Sequence, residues 1–557
     1  MILRTSNRRI RLLLALSLLV FAGTLARAVW LQAVQAGTLD RLALRQQVET
    51  IVIPAGRGTI YDRTGKPLAI GEQATTVFAD PRLVKQPRRV AIAAARTLGV
   101  DPNELFPLLS DRRRRFVYIA RKVDAKRAAA LESLNLDGVE FYAEELRAYP
   151  QRSVAAHVLG FADIDNKGLE GLERSLDREL AGRQGSETVV KDALGRAVDV
   201  LSTTKERPGR DVQLTLDSRI QAHAESVLRD SVREARALGG TAIVLDPATG
   251  AVLAMATAPS FDANRFAAVA PARRRNRAVT DTYEPGSTFK VVSIAAALAE
   301  GIVTPRTAFK LDDSIQVADR IIREHAPRPT QRMTVSRIIA ESSNIGTITI
   351  AQRLGEAGLK KWIDRFGFGT ATGVDVAGES MGILPGYWSG STIGNVPIGQ
   401  GIAVTGLQMA AVYAAIANGG VWRRPHLVAR VGADPYRPSP GRRVISPVVS
   451  AQMMAMLRGV VDAEGGTGTA ASVPGYTVAG KTGTAAKPDR GGYSTSKYVA
   501  SFVGVVPAKR PRLVVLVSID EPRTAIWGGV VAAPAFSRIA QYGLQELEVA
   551  PDALTHR

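Results

Sequence analysis

The sequence places a serine and a lysine three residues apart, in Ser287-Thr288-Phe289-Lys290, at the start of a strongly apolar segment. Glu284-Pro285-Gly286 precedes the pair and favours the start of a helix, and Val291 to Leu298, which follows it, is almost entirely apolar. A helix that is apolar on all sides is buried. Because residues three apart in a helix share a face, the sequence predicts Ser287 and Lys290 side by side in the first turn of a core helix.

Acyl transfer by a serine nucleophile is the chemistry that this pair could perform. A serine needs a base to take its proton before it becomes an effective nucleophile. The chain has no cysteine, no H-E-x-x-H segment and no phosphate-binding or dinucleotide-binding glycine loop, and its five histidines are not spaced as metal ligands. These features argue against thiol chemistry, zinc hydrolysis and a Ser-His-Asp site. Lys290 is therefore the candidate base, and the chemistry requires no metal or diffusible cofactor.

The Ser-x-x-Lys spacing is weak evidence by itself, because it occurs three times in the chain. Ser202…Lys205 precedes a Pro-Gly turn, and Ser494…Lys497 follows two glycines. We expect both of these pairs to lie in polar loops, without a buried helix to support them. Taken alone, Ser287 could likewise be a plain helix cap.

Two further motifs strengthen the assignment of Ser287. Ser342-Ser343-Asn344 begins 55 residues after the serine, and Lys481-Thr482-Gly483-Thr484 begins 194 residues after it. S-x-x-K followed by S-D-N and K-T-G is the signature of penicillin-binding proteins and class A β-lactamases. This chain has the three motifs in that order, with Ser343 where the signature has aspartate.

The chain resembles the class B penicillin-binding proteins over nearly its whole length. The resemblance is carried by the nucleophile motif and by four other segments, Arg57-Gly58-Thr59-Ile60-Tyr61-Asp62-Arg63, Arg147-Ala148-Tyr149-Pro150, Gly168-Leu169-Glu170-Gly171-Leu172-Glu173 and Gly399-Gln400-Gly401-Ile402-Ala403-Val404-Thr405. The short N-terminal tail, Val29-Trp30-Leu31-Gln32 and the compact length are most similar to the division-specific, FtsI-type branch of that family. The elongation-specific branch is the alternative.

The resemblance implies a serine-type D,D-transpeptidase that cross-links peptidoglycan and is acylated by β-lactams. Ser287 would attack the carbonyl between the two terminal D-alanines of a stem peptide, and Lys290 would act as its base. Burial and the positive charge of Lys481 would both lower the pKa of Lys290, as neutrality requires. The backbone N–H groups of Ser287 and Thr484 would bind the oxyanion.

The other site residues follow from the same resemblance. Ser342 would relay the proton to the departing D-alanine, and Asn344 would bind the substrate backbone and orient Lys290. The Thr482-Gly483-Thr484 segment beside Lys481 would hold the terminal carboxylate of the donor peptide. The amine of a neighbouring stem peptide would then attack the acyl-enzyme.

Three other classes of function stay open at this stage. A carboxypeptidase or β-lactamase with the same site would need a carboxylate to activate water, and neither Glu284 nor Glu341 can be assigned to that task from the sequence. A β-lactam sensor would need a signalling domain or further membrane spans. A cationic wall-binding protein without catalytic activity would not need the buried Ser–Lys helix.

The N-terminus predicts a membrane anchor. Leu12 to Leu31 is almost wholly apolar and would be about 30 Å long as a helix, enough to cross a bilayer core. Arg27 and Trp30 are suited to the far interface, and the basic residues before Leu12 favour an N-in orientation. A cleaved signal peptide is the alternative, because Ala26-Arg27-Ala28 fits a cleavage site. The resemblance favours an uncleaved single span in the bacterial inner membrane, with the catalytic domain outside, in the periplasm.

The net charge of +20 arises from 72 Lys and Arg residues against 52 Asp and Glu residues. The basic residues are spread along the chain, and the densest run, Arg112-Arg113-Arg114-Arg115, is short. No nucleic-acid-binding motif accompanies it. We therefore predict no nucleic-acid partner. The expected partners are peptidoglycan stem peptides, β-lactams, the membrane and, by resemblance, an FtsW-type glycan polymerase with other division proteins.

The elements that must position the motifs indicate an α/β (α+β) fold. Strands are predicted at 241–245, 251–255, 499–506 and 513–519, with an amphipathic helix from Val531 to Leu547. These elements predict a central antiparallel sheet flanked by helices. We divide the chain into a cytoplasmic tail (1–11), a transmembrane anchor (12–34), an elongated pedestal or dimerisation domain (35–235) and a transpeptidase domain (236–557).

Overall fold

The computed structural model of the chain describes residues 2–35, 48–191, 197–489 and 492–553. Residues 36–47, where the predicted pedestal domain begins, lie outside this part, as do residues 490–491 just before the Ser494…Lys497 pair. The described residues form two compact units. The first comprises residues 1–56 and 182–208, and the second comprises residues 57–181 and 209–557.

The first unit contains the predicted anchor. One α-helix, Ile2–Val29, continues into a π-helical turn, Trp30–Val34, and an apolar stretch runs from Ile10 to Ala33. This is the one described helix that is long and apolar enough to cross a membrane. The unit also contains a three-stranded antiparallel sheet in the order Val48–Ile53, Gly185–Lys191, Ala197–Thr204.

The second unit begins with a seven-stranded mixed sheet. Its central strand, Pro67–Ala79, pairs with two long antiparallel strands, Val117–Asp124 and Val139–Ala148. The sheet continues through Ile60–Tyr61, Val212–Leu214, Val428–Val431 and Asp434–Pro435. Two of its strands therefore come from residues that lie far along the chain. Three helices cover one face through a common apolar cluster, Pro87–Leu98, Pro102–Ser110 and Ala125–Glu132.

A buried ionic cluster joins the short elements that follow this sheet. Glu173, whose side chain is fully buried, pairs with Arg57 at 2.7 Å and with Arg147 at 2.6 Å. Because buried charges are costly unless they are paired, this cluster depends on all three partners. The short elements around it are Ala156–Leu159, Phe161–Ala162, Gly168–Glu170, Gly171–Ser175 and Asp177–Leu180.

The central sheet that the sequence predicted is present as five antiparallel strands. Their order is Val252–Ala258, Gly239–Leu245, Leu513–Asp520, Gly492–Val506 and Ala479–Asp489. Alternate residues of each strand enter two different apolar clusters, so that Ile243 belongs to one and Ala242 to the other. The strands are apolar almost throughout because helices cover both faces of the sheet.

Helices pack on both faces as predicted. Ser218–Glu234 and Ala533–Glu546 share one apolar cluster with the sheet, and Lys290–Ala299, Gly406–Ala417 and Pro447–Asp462 share the other. The remaining helical elements are Ala263–Ala268, Pro271–Arg274, Arg277–Thr280, Gly286–Phe289, Val335–Ala340, Asn344–Phe366, Thr392–Asn395, Val396–Ile398, Thr469–Ala471 and Gly528–Val531. Four small antiparallel pairs complete the unit: Thr282–Tyr283 with Val404–Thr405, Ala308–Leu311 with Gln331–Thr334, Ser314–Val317 with Arg320–Arg323, and Val421–Trp422 with Arg442–Arg443.

Candidate active site

Ser287 lies in a 3₁₀ turn, Gly286–Phe289, that leads directly into the buried helix Lys290–Ala299. The sequence predicted this helix and its burial, although its first turn is tighter than an α-helical turn. Gly286 has a φ of +53°, and a Cβ atom at this position would lie 3.0 Å from the Thr484 carbonyl oxygen. The turn that carries the serine therefore packs closely against the strand that carries Lys481-Thr482-Gly483-Thr484.

Lys290 links the first two motifs. Its amine lies 2.6 Å from the Ser342 carbonyl oxygen, 2.7 Å from Asn344 Oδ1 and 3.3 Å from Ser342 Oγ. Ser342 has a φ of +60°, an uncommon backbone conformation for a residue with a Cβ atom. The turn at Ser342 thus directs both a carbonyl and a hydroxyl toward Lys290.

The third motif lies on Ala479–Asp489, which is the edge strand of the five-stranded sheet. The Lys481 amine lies 3.3 Å from Thr482 Oγ1, and Thr482 Oγ1 lies 2.8 Å from Thr467 Oγ1. Gly483 lies between the two threonines, where a Cβ atom would come 2.9 Å from Thr288 Cγ2. The strand therefore brings a buried amine and two hydroxyls to the edge of the sheet beside the turn that carries Ser287.

Burial lowers the pKa of Lys290 to about 7, while the nearby Glu324 raises it and Arg328 lowers it further. Burial also lowers the pKa of Lys481 well below its usual value, and the charge of Lys290 adds to this effect. The two lysines therefore interact through like charge, as the sequence predicts, and Arg328 adds a second like charge beside Lys290. Both lysine side chains are completely buried, which is rare for this residue type.

The three motifs surround a cavity of about 640 Å³. Of the eight residues proposed from the sequence, five line the cavity: Ser287, Ser342, Asn344, Thr482 and Thr484. The two buried lysines contact these lining residues, Lys290 at Ser342 and Asn344 and Lys481 at Thr482, and Gly483 lies between Thr482 and Thr484 on the same strand. The structure thus brings all eight into one region. Among the described residues, no hydrogen bond joins Ser287 Oγ to a neighbour, so its hydroxyl is free to meet a substrate.

Sequence reasoning missed several residues that line this cavity, among them His325, Thr467, Trp527 and Gly528. Gly528 N–H donates to Thr484 Oγ1 at 3.2 Å. A Cβ atom on Gly528 would lie 2.4 Å from the Gly483 carbonyl oxygen, so only glycine fits there. In the sequence, the one signal that could have indicated these residues is the Gly528-Gly529 pair, because paired glycines often mark a close approach of two backbones.

The two acidic residues considered earlier point elsewhere. Glu284 accepts hydrogen bonds from Gly401 N–H at 2.9 Å and from the Tyr493 hydroxyl at 3.1 Å, and burial raises its pKa. Glu341 pairs with Arg337. Neither lines the cavity, and among the described residues that do line it there is no aspartate or glutamate.

The two other Ser-x-x-Lys pairs lie outside the site, but not in the polar loops that we predicted. Ser202 lies in the strand Ala197–Thr204, opposite Thr188, and is exposed. Ser494 lies near the start of the strand Gly492–Val506, and its hydroxyl oxygen accepts from Lys497 N–H at 3.1 Å. The prediction of loops was wrong because it rested on polar composition, and strands at the exposed ends of hairpins can be polar on both faces. Neither pair has a buried helix behind it.

Two family models match the chain. Residues 240–541 match the model described as the penicillin binding protein transpeptidase domain, and residues 52–214 match the penicillin-binding protein dimerisation domain. Together these ranges contain both large sheets and all three motifs.

Similar proteins extend over almost the whole chain. Peptidoglycan D,D-transpeptidase FtsI of Escherichia coli K12 is 33% identical over 98% of this chain and 93% of its own length. Stage V sporulation protein D of Bacillus subtilis is 35% identical over 98% of this chain and 87% of its own length. Among solved structures, penicillin binding protein 3 from Mycobacterium tuberculosis, complexed with aztreonam, has a TM-score of 0.71 and 31% identity over 90% of this chain and 98% of that one.

Proposed function

The chain belongs to the class B penicillin-binding proteins, which are serine-type peptidoglycan D,D-transpeptidases, and from this premise we propose that its acyl-enzyme forms on Ser287 with Lys290 as the base. The observation that carries the assignment is the position of the fully buried Lys290 amine, 2.7 Å from Asn344 Oδ1 and 3.3 Å from Ser342 Oγ, two residues that line the same cavity as Ser287. No other described Ser-x-x-Lys pair has such surroundings.

A neutral lysine amine has two N–H donors and one lone pair. The Ser342 carbonyl and Asn344 Oδ1 are the two short acceptors beside Lys290. When both accept, the lone pair is left for the proton of Ser287. The pKa of about 7 makes the neutral form abundant near neutral pH, as a general base requires.

The first half of the reaction forms an ester and releases D-alanine. Ser287 Oγ bonds to the carbonyl carbon between the two terminal D-alanines as its proton passes to Lys290. The backbone N–H groups of Ser287 and Thr484 stabilise the oxyanion, and losing one such donor typically costs about 10²–10³ in rate. The C–N bond then breaks, and Ser342 passes the proton from Lys290 to the departing amine.

The second half transfers the acyl group to an acceptor. The hydroxyls of Thr482 and Thr484, beside Lys481, hold the terminal carboxylate of the donor peptide. After D-alanine leaves, the amine of a neighbouring stem peptide attacks the ester, its proton returns through Lys290, and Ser287 is regenerated. β-Lactams enter by the same first step, because their strained amide presents a carbonyl to Ser287 next to a carboxylate.

We assign the N-terminal helix as a single-pass membrane anchor, because its apolar stretch Ile10–Ala33 is long enough to cross a bilayer. We assign its N-terminus to the cytoplasm and the catalytic domain to the periplasm, because basic residues precede the span. Residues 35–235 are assigned as the pedestal domain and 236–557 as the transpeptidase domain, in keeping with the ranges of the two family models. We propose a role at the division septum, which the similarity to FtsI supports, and, from the family resemblance alone, an FtsW-type glycan polymerase as partner. Depletion in cells tests this role: filaments indicate septal function, and round cells indicate elongation.

Labelling with a fluorescent penicillin tests the nucleophile. Ser287→Ala should abolish labelling, whereas Ser202→Ala and Ser494→Ala should leave it intact, because neither serine lies near a buried base. Labelling that persists in Ser287→Ala and disappears in Ser494→Ala would overturn the assignment. Product analysis with donor and acceptor stem peptides then distinguishes transfer from hydrolysis.

A further inference from the structure

A carboxylate from outside the three motifs holds the middle motif in place. Glu324 follows the hairpin formed by Ser314–Val317 and Arg320–Arg323, and its own N–H donates to the Asp313 carbonyl at 2.9 Å. Only 2% of its side chain is exposed. The hairpin thus delivers a buried negative charge to the start of the helix Asn344–Phe366.

Glu324 accepts hydrogen bonds from three groups of that helix start. Its Oε2 accepts from Asn344 N–H at 2.8 Å, and its Oε1 accepts from the Ser343 hydroxyl at 2.5 Å and from Ile345 N–H at 3.3 Å. The first N–H groups of a helix have no partners within the helix, and negative charge is favourable there. One carboxylate therefore fixes three consecutive residues of the motif region.

The same hairpin determines which way the Asn344 side chain faces. Asn344 Nδ2 donates to the Arg323 carbonyl at 3.2 Å, which leaves Oδ1 directed to the Lys290 amine at 2.7 Å. Glu324 holds the backbone of Asn344 while Arg323 holds its amide. The proposed base, Lys290, is thereby connected to the hairpin through a single residue.

We propose that Glu324 is a positioning residue of the acyl-transfer site, which supplies across space the carboxylate that the S-D-N form of the motif carries at its middle position. Ser343 occupies that position here, donates to Glu324 and accepts from Gly346 N–H at 2.9 Å. The Arg328 side chain, which pairs with Glu324, also donates to Ser343 Oγ at 2.9 Å. In this chain the carboxylate therefore lies beside the neighbouring hairpin and not within the motif. This inference rests on the proposed function of Ser287 and Lys290.

The charges around Lys290 predict that a change at Glu324 alters the pH dependence of acylation. Glu324 raises the pKa of Lys290 and Arg328 lowers it, while Lys481 and His325 are cationic or titratable neighbours whose own pKa values are lowered in part by Lys290. Ser342 and Asn344, which contact the amine directly, carry no charge. Removing the charge of Glu324 should therefore lower the pKa of Lys290.

The test compares Glu324→Gln with Glu356→Gln, measured in the full-length protein by the second-order rate constant of acylation with a fluorescent penicillin. Glu356 is the matched control, because it lies on the same helix Asn344–Phe366, pairs with Lys360 at the surface and lies outside the cavity. Glu324→Gln should slow acylation by about 10- to 100-fold, since a displacement of about 1 Å in a site can cost 10² in rate. It should also move the acidic limb of the pH profile to lower pH. Glu356→Gln should change neither quantity.

A second substitution tests whether the carboxylate can return to the motif. Ser343→Asp in the Glu324→Gln background should recover most of the acylation rate, because aspartate can cap Gly346 N–H and pair with Arg328. Ser343→Asp alone should slow acylation, because it places two carboxylates side by side. Wild-type kinetics for Glu324→Gln would overturn the proposal. So would an unfolded Glu324→Gln protein that the second substitution does not rescue. Labelling that survives Ser287→Ala would instead refute the proposed function.

Discussion

The pH dependence of acylation is the most direct consequence of the buried Lys290. Burial lowers its pKa from the ordinary lysine value of 10.5 to about 7. At pH 7 about half of the amines are then neutral, whereas at a pKa of 10.5 only about 3 in 10⁴ would be. Burial thus increases the concentration of active base by about 10³-fold at this pH.

The sign of the profile follows from the protonation state that the base requires. Protonated Lys290 cannot accept the proton of Ser287, so acylation should slow about tenfold for each pH unit below about 7 and level off above it. The measurement is the acylation rate constant with a fluorescent penicillin between pH 5 and pH 9. A penicillin with no group that titrates in this range is required, so that the limb reports the enzyme.

Substitution of the base provides the control. Lys290→Arg keeps a positive charge that does not become neutral in proteins, so it should remove the base and lose labelling at every pH tested. Lys360 is exposed and pairs with Glu356, away from the cavity, so Lys360→Arg should reproduce the wild-type pH profile. A wild-type rate constant that is flat from pH 5 to pH 9, or that falls as pH rises toward 7, would refute Lys290 as the base.

Three further predictions concern packing, the ionic cluster and the acyl-enzyme. Gly528→Ala should abolish penicillin labelling and lower the free energy of unfolding by about 1–3 kcal/mol, because its Cβ atom would crowd the Gly483 carbonyl. Gly386→Ala is the control and should change neither quantity, because its Cβ atom would lie in open space. Glu173→Gln should lower the free energy of unfolding by about 3–5 kcal/mol, measured by chemical denaturation, because it leaves the buried charge of Arg147 without its carboxylate partner, while Arg57 keeps Asp177. An unchanged value would contradict the cluster's role. The penicilloyl ester on Ser287, followed by mass spectrometry, should persist for many minutes to hours, because no described carboxylate lines the cavity to activate water. Release of the hydrolysed penicillin at about 10 per second would instead indicate a β-lactamase.

The local part of the site could be predicted from the sequence because each signal lies within a few residues. The apolar run after Lys290 indicates a buried helix, and the alternating and continuous apolar segments at 241–255 and 499–519 indicate the sheet. The central antiparallel sheet with helices on both faces is confirmed. These elements form from short-range patterns, which are legible in a single sequence.

The features that escaped prediction depend on contacts between distant residues. Nothing local to Val428–Val431 indicates that it joins the sheet begun at Ile60–Tyr61, since strand pairing of this kind is decided by tertiary packing. Glu324 escaped for the same reason: it lies 18 residues before Ser342, just after a hairpin, and only the fold brings it to the start of the helix Asn344–Phe366. The strand that contains Ser202 ends in the polar run Ser202-Thr203-Thr204, which carries no apolar alternation by which a strand is recognised.

The two buried lysines show that this site is arranged for chemistry at the expense of stability. The unfolded chain keeps both lysines protonated up to about pH 10.5, whereas the folded protein lowers both pKa values, that of Lys290 to about 7. For Lys290, the unfolded state binds more protons between about pH 7 and pH 10.5, so the free energy of unfolding should rise with pH across this range, and below about pH 7 the full cost of burying this charge is present. Apolar residues at both positions would remove that cost. Lys290→Met should therefore raise the unfolding free energy at pH 6 while it abolishes acylation, and a variant destabilised at that pH would show that the lysine is held there for structural reasons.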